Sequence, residues 1–181
     1  MDSKQIATTL ATLFRELIDG VPRDPSYMLN TGDVGLHGSL EKLSAEDASR
    51  TSLGGASIAA HVDHLRYGLA LMNQWQSGVK NPWANADWTK SWKITAVTDR
   101  EWDRLRRELR SETHRWLDAL GEAQPTDETQ LTYMIASIAH LAYHVGAVRQ
   151  IDKGTRGPTA ERELEIKRGR AGEGREQGQG A

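Results

Sequence analysis

Apolar residues recur at three- and four-residue steps in four stretches of the chain, and no run alternates polar with apolar over a strand's length. Such spacing puts the apolar side chains on one face of an α-helix. In the first stretch the stripe is Ile6, Leu10, Leu13, Phe14, Leu17 and Ile18, and Gly20 follows as a stop, which predicts a helix over 3–19. The second stretch, over 56–77, carries Ile58, Val62, Leu65, Leu69 and Met72, with Ser57 placed to cap its start and Gly78 its end. The third opens on Thr98-Asp99-Arg100-Glu101, a capping box in which hydroxyl and carboxylate satisfy free backbone donors reciprocally. Trp102, Leu105, Leu109, Thr113, Trp116 and Leu120 form its buried stripe, and Gly121 closes it. The fourth runs from 128 to 152, with Met134, Ser137, Leu141, His144, Val148 and Ile151 on one face and Gly154 beyond.

The connections are unequal. Residues 21–53 hold Pro22, Pro25 and several glycines, with a short helix expected near 39–49. A connection of this length is usually functional or packed down as a lid. The tryptophan-rich segment over 81–92 has poor periodicity and reads as an ordered loop; residues 125–127 turn the chain. A short fifth helix is expected over 158–167, because Pro158 fits a first helical turn. From 169 to 181 the chain is rich in Gly, Glu, Gln and Arg, which predicts a disordered tail. The expectation is therefore an all-α fold. It is a four-helix bundle with long helix 1–2 and helix 2–3 connections, forming one domain over 1–168.

Composition narrows the chemistry. The 181 residues include no cysteine, which removes thiolate metal sites, disulfides and cysteine nucleophiles together. With 23 basic and 25 acidic residues the net charge is -2, and no basic stripe suggests a nucleic-acid surface. Neither a signal peptide nor an apolar run of membrane-spanning length is evident, so a cytoplasmic location with no membrane partner is expected. Six tryptophans against one phenylalanine suit the wall of a cleft as well as a core.

Six histidines remain to be placed: His37, His61, His64, His114, His140 and His144. His140 and His144 are four apart on the fourth helix, so they project from one face and can bind one divalent metal. Ala136, Ser137 and Ala147 leave room around them. The motif is His-Leu-Ala-Tyr-His, so Leu141 stands where a zinc protease carries its glutamate base, and that mechanism is excluded. The second helix offers a third nitrogen from His61 or His64. The apolar stripe slightly favours His61, which shares a face with Ile58 and Leu65, whereas His64 lies at the stripe's edge. The other would serve as a wall or outer group, and Asp63 points elsewhere. His37, in the long connection, and His114, on the charged third helix, read as surface or lid residues.

Two segments resemble the DinB-like superfamily. One is Ser57-Ile58-Ala59-Ala60-His61-Val62-Asp63-His64-Leu65. The other is Ile138-Ala139-His140-Leu141-Ala142-Tyr143-His144-Val145-Gly146-Ala147-Val148-Arg149-Gln150-Ile151. The resemblance implies a four-helix bundle with a three-histidine metal site, usually zinc or nickel. It places the metal on His64, His140 and His144, since the family's first ligand lies a few residues into the second helix and is followed by an aliphatic residue, a placement that matches His64 better than His61. Many members have His-Arg-Gly-Gln from the last ligand. Here the run is His144-Val145-Gly146-Ala147, with Arg149-Gln150 following, so this chain varies the pattern. The resemblance also implies homodimers and, in some relatives, transfer or isomerisation with low-molecular-weight thiols. Two functions follow as expectations: a metal-dependent enzyme, such as a thiol S-transferase or hydrolase, or a non-catalytic stress-response or binding module. In the first, Tyr67 and Tyr143 could donate to a substrate and Trp83, Trp88 and Trp92 could wall a pocket. Packing serves each of these five residues equally well.

Overall fold

The computed structural model describes residues 2–125, 127–159 and 165, and among them there is no strand. Among the described residues the α-helices with defined bounds are α1 (Ser3–Asp19), α2 (Gly35–Leu40), α3 (Ala45–Ala48), α4 (Ile58–Gln76), α5 (Asp99–Glu122) and α6 (Glu128–Ile151). The four long ones, α1, α4, α5 and α6, are the expected bundle. α5 packs on α1 and α4, and α6 packs on the same two, so the four close into a ring.

Each long helix begins on a side-chain cap. Asp2 with Gln5, and Thr98 with Glu101, make full capping boxes for α1 and α5. Ser57 accepts from the Ala60 N–H at the start of α4, and Asp127 from the Gln130 N–H at the start of α6. Each such cap contributes about 1 kcal/mol by satisfying a donor the helix leaves free. The predicted stripes then meet at one core. Phe14, Ile18, Ile58, Leu109, Trp116 and Leu120 are wholly enclosed, each contributing roughly 1.5–3 kcal/mol or more from burial. The Trp116 indole N–H donates to the Ser137 hydroxyl, tying α5 to α6.

The connection after α1 departs from expectation. The short helix predicted near 39–49 is two helices, α2 and α3, because Ser44 and Asp47 form a capping box that starts a new helix after the first has ended. The segment before α2 is held by buried charge. The Glu16 carboxylate on α1 accepts from the backbone N–H groups of Tyr27, Met28 and Leu29. Asp33, enclosed, accepts from the Gly35 N–H and pairs with Arg149 of α6 at 2.8 Å. Gly20 and Gly35, both at positive φ, let the end of α1 touch the start of α2. A Cβ on Gly20 would sit 2.1 Å from the Asp33 carbonyl oxygen. Gly121 does not end α5, which runs one residue further to Glu122. The fifth helix expected over 158–167 and the tail from 169 fall almost wholly outside the described residues.

α6 exposes apolar residues as well as burying them. It has no charged side chain between Glu128 and Arg149, and by length and composition alone it could cross a membrane. Met134, Ile138, Leu141, Val145 and Val148 face the core, while Ile135, Ala136, Ala139, Tyr143 and Gly146 are exposed.

Candidate metal centre

α4 and α6 lie side by side, and each brings two histidines to their contact. On α6 the four-residue step stacks His140 and His144 one turn apart, and their Nε2 atoms are 3.0 Å from each other. From α4, His64 reaches across with its Nε2 at 3.2 Å from the Nε2 of His140. One ring nitrogen from each of His64, His140 and His144 lies within 4.8 Å of the other two. His64 and His144 are buried, whereas His140 is exposed and opens the group to solvent.

The geometry fits a cation. Three imidazoles bound tetrahedrally at about 2.0–2.1 Å hold their nitrogens roughly 3.3 Å apart, close to both spacings seen here. Without one, each ring nitrogen offers either one N–H or one lone pair, so three that meet cannot all be paired with one another. The charge state fits as well. Burial lowers the pKa of His64, His140 and His144, and for His144 it acts together with the neighbouring histidines to bring the value to about 3. The rings are therefore neutral at neutral pH, with lone pairs free to coordinate.

Of the two α4 histidines, His64 is the one grouped with the α6 pair. His64 is 9% exposed and converges with the α6 pair; His61 is only half-buried and instead places its Nδ1 2.9 Å from the Nδ1 of His144. His64 is covered by the tryptophan loop, not by the helix stripe: Trp92 stacks on it at 4.5 Å between centroids and Trp88 leans on it at 5.8 Å. Ser91 fixes that loop by donating to Asp63, which also pairs with Arg66, so this carboxylate is committed away from the histidines.

Other residues singled out from the sequence fall into place around this. Tyr67 uses its hydroxyl to accept from the Asp87 N–H and so holds the same loop. Tyr143 is 68% exposed and sets its ring edge against His144. Trp83 packs on Trp75 and Tyr133 instead of the histidines. His37 overturns its surface reading: it is a buried residue of α2, with Nε2 2.9 Å from the Thr113 hydroxyl. Burial, with Arg110 and His114 nearby, lowers its pKa to about 3. His114 stays half-exposed and stacks on it.

Comparison with protein-family profiles, with characterised proteins and with solved structures returned no match.

Proposed function

We propose that this chain is a divalent-metal-binding helical bundle, with zinc or nickel held by His64, His140 and His144, that acts on a small molecule at the metal. The observation that carries this reading is the convergence of three neutral ring nitrogens from two helices on one point, with one of the rings open to solvent. All three donors are imidazoles, which suit zinc and nickel better than the hard cations that prefer oxygen. A cation so held supplies Lewis acidity and lowers the pKa of a bound water or thiol. The protein's share is to hold the three rings neutral and to shield one side with Trp88 and Trp92. The lack of any cysteine fits a reaction in which an external low-molecular-weight thiol is the nucleophile.

A non-catalytic binding module with a structural metal is the second reading. It is favoured by the commitment of the Asp63 carboxylate to Ser91 and Arg66, and of the Tyr67 hydroxyl to the Asp87 N–H. Elemental analysis of purified protein, followed by thiol-transfer assays before and after chelation, separates the two. The first predicts metal near one equivalent and turnover lost on chelation and in His140→Ala. An empty protein that takes up neither zinc nor nickel would overturn both.

The exposed apolar face of α6 supports a homodimer as part of this reading. Its small residues, Ala136, Ala139 and Gly146, allow a second helix to approach closely beside Tyr143 and Ile135. A mass measurement in solution that halves on Tyr143→Arg is the expected result.

A further inference from the structure

His61 is the histidine that the three-ligand site leaves over. Its place is one turn before His64 on α4, and its Nδ1 meets the Nδ1 of His144 at 2.9 Å. Two ring nitrogens at that distance share one proton. His144 already turns its Nε2 towards His140, at 3.0 Å. A ring that coordinates through Nε2 carries its proton on Nδ1. That N–H points at His61, so the Nδ1 of His61 must accept it and the proton of His61 itself must sit on Nε2. From this arrangement, and resting on the metal reading above, we infer that His61 is a positioning residue. It fixes both the ring orientation and the tautomer of His144 so that Nε2 faces the metal.

Three further observations support the assignment. First, a metal-bound histidine ordinarily donates its second N–H to a carboxylate or backbone carbonyl. Among the described residues no carboxylate pairs with any of these four histidines, and His61 is the partner His144 has on that side. Second, Trp92 sets itself edge-on to His61 at 5.4 Å and face-on to His64 at 4.5 Å, so one loop residue restrains both rings. Third, His64 shows the alternative: its buried Nδ1 has no acceptor, and stacking alone holds the ring. The two buried rings of the triad are therefore oriented by different means. A neutral imidazole as acceptor also pushes less charge towards the metal than a carboxylate does, which leaves the whole centre cationic.

The test uses zinc titration by calorimetry on the full chain, together with long-range proton–nitrogen NMR of the histidine rings. His61→Phe keeps a ring but has no acceptor; His61→Asn puts an amide oxygen where Nδ1 stands. The expected results are a roughly 10–100-fold weaker zinc affinity in His61→Phe and recovery of most of it in His61→Asn. In the zinc-loaded unmutated protein, His61 should show a single Nε2–H tautomer, a readout that needs no variant to fold. Wild-type affinity in His61→Phe, or His61 protonated on Nδ1 in the loaded protein, would overturn the inference. If the unmutated chain takes up no zinc, the metal reading fails with it. If His140→Ala loses zinc and His61→Phe does not, only the role of His61 fails.

Discussion

At the contact of α2 with α5, His37 is buried against a hydroxyl; at the contact of α4 with α6, four histidines meet one another. In the first place Thr113 meets the ring nitrogen and His114 covers the ring face, so the histidine behaves as a satisfied core residue. In the second, the rings find mainly other rings, and the Nε2 of His140 meets two other ring nitrogens although it offers only one N–H or one lone pair. Burial lowers the pKa of His37 and His144 alike, to about 3. The contrast teaches that burial and a depressed pKa do not distinguish a structural histidine from a ligand. What distinguishes them is where the lone pairs point and whether a hydrogen-bond partner already occupies them.

The comparison is broken most severely by removing a ligand. His144→Ala is expected to lower zinc affinity by more than about 100-fold, beyond the range for outer residues. His37→Ala should leave zinc affinity unchanged. Calorimetric titration of both variants checks this, and equal losses would erase the distinction. Next comes stability without metal. His37→Ala should cost about 2–3 kcal/mol in urea unfolding, from a lost buried hydrogen bond and the space left behind. His140→Ala, at an exposed site, should cost under about 1 kcal/mol.

The most gradual effect, spread over several pH units, is the one the two regions share. A lowered histidine pKa in the folded state means that the unfolded chain binds more protons between pH 6.5 and about 3. Stability of the metal-free protein must therefore fall as the pH falls through that window. The slope is up to roughly 1.4 kcal/mol per pH unit for each such histidine. Urea midpoints at stepped pH should show a shallower slope in His37→Gln. An unchanged slope would mean that His37 is not the neutral buried group described.

Sequence pattern captured the long helices because each declares its start chemically: the Thr98–Glu101 box and the Ser57 cap appear where the stripes predict. It did not resolve α2 and α3, since six and four residues are too short for a period to show and Gly35 and Gly38 hide the helical signal. For the same reason His37 looked like a loop residue. The α6 pair was legible from spacing alone, because a four-residue step fixes a shared face whatever surrounds it. The third nitrogen was not. His64 owes its burial to Trp88 and Trp92, which come from a segment without periodicity, and a helix stripe carries no record of what a loop will cover. The Nδ1 contact of His61 with His144 spans 83 positions and leaves no local trace.

The crossing from His64 to His140 spans 76 positions. Seen as chain topology, a cation at that point is a removable cross-link in a protein with no cysteine to make a permanent one. Closing a loop of that size restricts the unfolded chain by an amount on the order of 4 kcal/mol in a chain-entropy treatment, comparable to a long-loop disulfide. Unlike a disulfide, such a staple answers to metal supply and not to the redox state of its surroundings. The integrity of the α4–α6 seam would thus track the availability of a trace element.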